Sequence, residues 1–211
     1  MLSRFLNYLD SKKFHEEGIL SRSYRENKEL YEEIDSLLMN ARKVFGNKLK
    51  KLTPLPQDNI SWMTISTLWS DMFIDFSMAF RLFSMAYYKQ GQATLRMAIE
   101  NWFRILYLYD KPDKVKEFTE GKKWWAPLRQ KELDKHYKDS FMKDRVKKVH
   151  QELSEAAHSI IFNEKNHRIY YYDYYEYNQE RFVKGMKLIK KTYSLCNEML
   201  DFELAAKSKF L

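Results

Sequence analysis

The stretch from Ile60 to Gly91 reads "ISWMTISTLWSDMFIDFSMAFRLFSMAYYKQG". It runs for about thirty residues with apolar side chains on nearly every side, the pattern of a helix lying in the middle of a bundle. It is followed at once by "QATLRMAIENWFRILYLYD" (92–110), closed by Pro112 in "KPD". Two long helices joined by a short turn at Gly91 predict an antiparallel hairpin. The prolines of "KLTPLPQDN" (51–59) mark an extended loop before the first of them, and Asp58 or Asn59 is placed to cap its N-terminus.

The flanking segments fit the same plan. Residues 2–14 form a short amphipathic pattern ending near Gly18. In "SRSYRENKELYEEIDSLLMNARKVFG", Ser23 and Glu26 have capping-box spacing and Gly46 is placed as a C-terminal stop. Leu30, Ile34, Leu37, Leu38 and Val44 or Phe45 share one helical face. Residues 113–138 contain Gly121, Pro127 and the adjacent Trp124 and Trp125, which predicts short helices and a loop. Residues 139–157 read as an amphipathic helix. "RIYYYDYYEY" within 159–177 predicts an aromatic-rich loop or a short extended piece. A last long helix covers 178–207, with Phe182, Met186, Ile189, Tyr193 and Cys196 or Leu200 inward. The expectation is one all-α domain over 1–211: an antiparallel helical bundle of five to six main helices, with N-terminal helices over 1–59 and a core bundle over 60–211.

Composition agrees. Only 5 Gly and 4 Pro occur in 211 residues, too few turn formers for a many-stranded sheet. Aromatic residues make up 16%, a large reserve of buriable area. One cysteine, Cys196, excludes an internal disulfide and a cysteine metal site, and suits a reducing cytoplasm. The N-terminus lacks the apolar run of a secretory signal, and no apolar run approaches a membrane span. A cytoplasmic protein without a membrane partner is expected.

The net charge is +8, and residues 111–150 hold 13 Lys and Arg against 7 Asp and Glu. This is either a solvated lysine-rich surface or a surface that draws phosphate backbones, with RNA as the partner. The tyrosines from Tyr170 to Tyr177 admit two readings as well: faces for stacking on bases, or the cover of a bundle end or subunit interface, which implies a homo-oligomer or a partner protein.

Two sets of residues carry candidate chemistry. The first lies in "RVKKVHQELSEAAHSII" (145–161). At about 100° per residue, Arg145 and His150 diverge by about 140° in an unbroken helix, so they do not touch unless the helix kinks or a second protomer intervenes. His150, Ser154 and His158 stand at i, i+4, i+8 on one side, and two imidazoles flanking a hydroxyl can move protons. No HExxH or comparable ligand set occurs, which points to no metal. The second set is Arg96, Glu100 and Arg104, a charged i, i+4, i+8 line on a helix otherwise made of Leu, Met, Ala, Ile, Trp, Phe and Tyr. Such a line is either a structural polar network or the floor of a site. There is no P-loop, GxGxxG or GxSxG, so nucleotide-hydrolysing and flavin or nicotinamide chemistry are not expected, and no cofactor is implied.

The pairing of "LRMAIENWFRILYLYD" with "KKVHQELSEAAHSII" resembles a group of bacterial all-helical domains that carry an R…E helix followed by a helix ending in LS…H. These in turn are similar to the HEPN superfamily of helical ribonucleases, common in toxin–antitoxin and antiphage (abortive-infection) systems. The resemblance covers roughly residues 60–200. It implies a dimeric antiparallel bundle in which Arg and His of two protomers face one cleft. It also implies metal-independent cleavage of RNA by its own 2′-hydroxyl, with His moving protons and Arg stabilising the phosphorane. "RVKKVH" (Arg145, His150) has the family's Arg-to-His spacing, with Val146 where a polar residue is usual. "LSEAAH" points instead to His158, with Arg96 or Arg104 serving from another helix. The candidate catalytic residues are therefore His158, His150, Arg145, Arg96, Glu100 and Arg104. The alternative is a non-catalytic helical interaction or assembly module.

Overall fold

The computed structural model describes residues 15–51, 58–109, 111–121, 137, 141–158 and 177–208, with side chains in the last two segments as far as Ser154 and Ala206. Among the described residues every element is a helix, seven in all, and none is a strand. In chain order they are α1 (15–26), α2 (Lys28–Leu49), α3 (Asn59–Ser84), α4 (Tyr88–Leu108), α5 (Pro112–Thr119), α6 (Phe141–His158) and α7 (Gln179–Ser208). None of them is long and apolar enough to cross a membrane.

α3 and α4 form the antiparallel hairpin expected at the centre, and α7 packs against α2, α3, α4 and α6. The hairpin turn, however, falls at Met85–Tyr87 rather than at Gly91. Ala86 takes the left-handed conformation there, with φ at 64°, a position that normally favours glycine. Gly91 lies inside α4, where a Cβ would sit 2.7 Å from the ring of Phe83. Gly185 of α7 approaches the same ring, its Cβ position only 2.6 Å away. The two glycines let three helices close around one fully buried phenylalanine. Here glycine serves close packing, which explains why a reading of glycine as punctuation misplaces the turn.

The same correction applies to α1 and α2. Helix continues through Gly18 and through Gly46, whose Cβ position meets Trp69 at 3.7 Å. Ser23 is no cap: it is buried within α1 and donates to the carbonyls of Ile19 (3.0 Å) and Ser84 (2.7 Å), which fastens α1 to the end of α3. The break between α1 and α2 falls at Asn27. Asp58 caps α3 as expected, accepting from the Ser61 amide at 2.7 Å. Pro112 opens α5, where its missing N–H costs nothing.

Aromatic side chains fill the core. Phe45 of α2 lies against Phe73, Trp102 and Tyr193, and Trp69 against Phe73 and Trp102. The buried indole of Trp102 donates to the carbonyl of Cys196 at 2.8 Å, so α4 and α7 are joined by a hydrogen bond inside the apolar layer. Of the inward face expected for the last helix, Phe182, Met186, Ile189, Cys196 and Leu200 are buried. Trp124 and Trp125 and the tyrosines from Tyr170 to Tyr175 lie outside the described residues. Tyr177 is described: it accepts from Asn27 at 2.5 Å and stacks under Arg22.

Candidate functional site

α4 turns its core residues Leu95, Ala98, Ile99, Trp102 and Phe103 inward, which leaves positions 96, 100 and 104 on a flank beside α6. Helical spacing stacks these three one turn apart. α6 buries Met142, Val146, Val149 and Leu153 and so lies in the groove between α4 and α7. Its two flanks face different neighbours. One side presents Arg145 to α7, where it donates to Glu198 at 2.9 Å. The other presents His150 to α4, where its Nε2 lies 3.1 Å from Oε1 of Glu100. The divergence of Arg145 and His150 read from the helix periodicity is realised as two separate contacts, an ion pair of Arg145 with Glu198 and a hydrogen-bond contact of His150 with Glu100.

Glu100 is the centre of a polar network. Its Oε1 also accepts from Nε of Arg96 at 2.9 Å, and its Oε2 stands 3.6 Å from Nη2 of Arg104. Arg104 donates in turn to Asn101 at 2.6 Å, and Asn101 donates to Asp75 of α3 at 3.0 Å. The result is a chain of side chains running from α3 through α4 to α6. Ser154, one turn after His150, donates to the His150 carbonyl at 2.6 Å, and its oxygen lies 3.5 Å from His150 Nδ1.

The network is neither sealed nor fully wet: Arg96, Glu100, Arg104 and His150 retain 29%, 20%, 19% and 20% side-chain exposure. Burial works to raise the Glu100 carboxyl, but hydrogen bonds from His150 and Arg96 outweigh it and hold the group below its ordinary range. Glu100 is therefore ionised at neutral pH. Burial draws the Arg104 guanidinium down from its ordinary value, against the pull of Glu100 and Asp75. The Nε of Arg104 is buried and has no hydrogen-bond partner among the described residues. Asp75 is pushed up to about 6, first by burial and then by the neighbouring Asp71, with Asn101 and Arg104 opposing.

In the neutral imidazole an ionised Glu100 selects the tautomer with the hydrogen on Nε2, which leaves the lone pair of that form on Nδ1. The sector of α6 that holds His150 and Ser154 also holds Lys143 and Lys147, all four within about 60° at 100° per residue. Proton-accepting nitrogen, two guanidiniums and two ammonium groups thus share the α4–α6 face. Among the described residues, no cluster of three His, Cys, Asp or Glu side chains is placed to hold a metal ion.

Of the six residues singled out in the sequence, Arg96, Glu100, Arg104 and His150 come together. Arg145 lies on the far flank of α6. His158 closes α6, and its side chain is outside the described residues. Asp75 and Asn101 complete the network and were not foreseen. Their signal was an acid in the apolar run "MFIDFSMAF" and an amide beside Glu100, each of which needs a partner once buried. In the basic segment, Lys114 pairs with Glu117, and Lys111 donates to the Tyr107 carbonyl while lying over its ring. Compared with protein-family models, curated proteins and solved structures, the chain matches none.

Proposed function

We propose that the α4–α6 face binds RNA and cleaves it without a metal, in the manner of the HEPN-like bacterial defence or toxin ribonucleases that the sequence resembles. The observation that carries this reading is the His150–Glu100–Arg96 contact. A carboxylate orients an imidazole at 3.1 Å and holds a guanidinium on the same oxygen at 2.9 Å, with partial exposure to solvent. In the proposed reaction His150 Nδ1 takes the proton of a ribose 2′-hydroxyl. The 2′-oxygen attacks the adjacent phosphorus, the bond to the 5′-oxygen breaks, and that oxygen takes a proton from solvent water, while His150 later returns its own proton to solvent. A 2′,3′-cyclic phosphate and a 5′-hydroxyl result. Arg96 and Arg104 face the negative charge that builds on the phosphorane, and Glu100 balances the imidazolium. Lys143 and Lys147 draw the backbone in.

The test is incubation of the purified protein with cellular RNA in EDTA, beside His150→Ala and Glu100→Gln. Wild type is expected to cut, and His150→Ala to lose about 100-fold or more of the rate, the usual contribution of a general base. Absence of cleavage by folded wild type, or cleavage that survives His150→Ala, sinks the reading. A second reading rests on the same network: every charged member already has a protein partner, so the chain of contacts can serve only to join α3, α4 and α6 in a non-catalytic assembly module. On that reading the two substitutions lower stability and change nothing else.

A further inference from the structure

Arg104 is the least committed cation of the α4–α6 network. Arg96 and His150 both lie close to Oε1 of Glu100, at 2.9 and 3.1 Å, whereas Nη2 of Arg104 stands 3.6 Å from Oε2. Its buried Nε has no partner among the described residues. Its short bond runs instead to Oδ1 of Asn101 at 2.6 Å, a neutral acceptor. Asn101 is buried, so its amide depends on protein partners. It donates from Nδ2 to Oδ2 of Asp75 at 3.0 Å, which turns Oδ1 toward Arg104. Hydrogen bonds in such a chain polarise one another, so the charge on Asp75 sets how firmly Asn101 holds the guanidinium.

Charge counting gives the same dependence. Glu100 is ionised. When Asp75 is ionised too, these two carboxylates balance Arg96 and Arg104. When Asp75 is neutral, Glu100 alone faces the two guanidiniums, and one positive charge is left over. Among the described residues the charged groups that act on Asp75 are Asp71, one turn earlier on α3, and Arg104 on α4. Beyond Arg104 the chain continues to Glu100, Arg96 and His150. Burial and Asp71 favour the neutral acid and push Asp75 up to about 6, so both forms are reached within an ordinary pH range.

We infer that Asp75 is a positioning residue that regulates oxyanion binding at the α4–α6 face: neutral, it leaves Arg104 to a dianion of the sulfate or phosphate class, and ionised, it holds Arg104 through Asn101 and cancels its charge. The inference rests on the reading of this face as a phosphate-binding site. It adds a control group on α3 that does not itself touch the ligand. The anion favours the protonated form of Asp75, so affinity is highest below about 6 and falls as pH rises through that value. A dianion within ~10 Å of one added negative charge near a protein surface binds about tenfold more weakly after screening.

Sulfate is the probe, because its charge is constant between pH 5 and pH 7.5. The full chain, labelled with nitrogen-15, is titrated with sodium sulfate at constant ionic strength and read at its arginine Nε–Hε and backbone resonances. Asp75→Asn is expected to match wild type at pH 5 and to bind sulfate about tenfold more tightly than wild type at pH 7.5. Comparison of the two proteins at one pH cancels the contribution of His150, and a merely structural role for Asp75 would not produce a difference confined to the higher pH. Arg104→Gln, with unchanged circular dichroism, should lose the site at both. No shift at Arg104 on adding sulfate, equal affinities of wild type and Asp75→Asn at pH 7.5, or binding that survives Arg104→Gln overturns the inference. Sulfate binding as expected without cleavage of RNA in EDTA removes the ribonuclease reading and leaves this one. Cleavage by wild type, with sulfate affinities that ignore Asp75→Asn, does the reverse.

Discussion

Replacing Gly91 by alanine sets two effects of opposite sign against each other. Gly91 lies within α4, and in a helix interior alanine is favoured over glycine by about 1 kcal/mol, so local propensity predicts a more stable protein. The added Cβ, however, would lie 2.7, 2.8 and 3.0 Å from three carbons of the Phe83 ring. Carbon–carbon contacts are optimal near about 3.5–4.0 Å, so the ring or the helix has to move by up to about an ångström. The ring has no slack, because the Cβ position of Gly185 lies 2.6–3.0 Å from the same ring and Phe83 is fully buried. Overpacking of this kind costs about 1–3 kcal/mol and occasionally more, and with so close an approach the upper end applies. Gly91→Ala is therefore expected to destabilise by about 1–2 kcal/mol net of propensity. Gly185→Ala should behave alike. The double variant should lose more than the sum, because each substitution closes the space into which the other would push the ring. Urea unfolding followed by far-ultraviolet circular dichroism measures all three. In a Phe83→Leu background, where the ring edge is gone, Gly91→Ala should turn neutral or stabilising. A higher unfolding midpoint for Gly91→Ala in the wild-type background, or the same loss in the Phe83→Leu background, would refute the account.

Two further outcomes follow from the polar residues. Asp75 has its folded-state value raised to about 6 from 3.8, so the folded protein prefers the neutral acid. Stability from this group is full below its unfolded value and is lost as pH rises through about 6, where ionisation strands a half-buried carboxylate near Asp71. Asp75→Asn keeps the acceptor for Asn101, and after screening it should stabilise the protein by about 1 kcal/mol at pH 7.5 and by nothing at pH 4. Thermal melts across that range read the difference, and a pH-independent effect, or a loss at neutral pH, argues against it. Arg145→Ala removes an exposed pair with Glu198, so it should cost no more than about 1 kcal/mol and leave RNA cleavage unchanged. Abolished cleavage in a folded Arg145→Ala protein would move the site to the other flank of α6 and return the Arg-to-His spacing to the centre of the chemistry.

Much of the bundle was legible because apolar periodicity is a property of each segment alone. The hairpin of α3 and α4, the amphipathic α6 and the inward face of α7 all follow from it. Gly91 was misread as a turn for the opposite reason. It answers to Phe83 of the preceding helix, as does Gly185 from about a hundred residues away, and no local pattern records either contact. Ala86 shows the converse, since a turn was made without the residue that normally announces one. Ser23 also looked like a cap because its short-range partner spacing was correct, whereas its hydroxyl is committed to Ser84, 61 positions further along.

The candidate site divides along the same line. The Arg96–Glu100–Arg104 ladder is a local spacing and could be seen. That Glu100 also meets His150, fifty residues away, depends on how α6 is seated between α4 and α7. Two residues about 140° apart on a helix cannot serve one site within a single chain, but they can serve the two neighbours of a helix lying in a groove. His150 takes α4 and Arg145 takes α7. The guanidinium available to His150 then has to come from α4, and Arg96 and Arg104 are the residues that α4 supplies there.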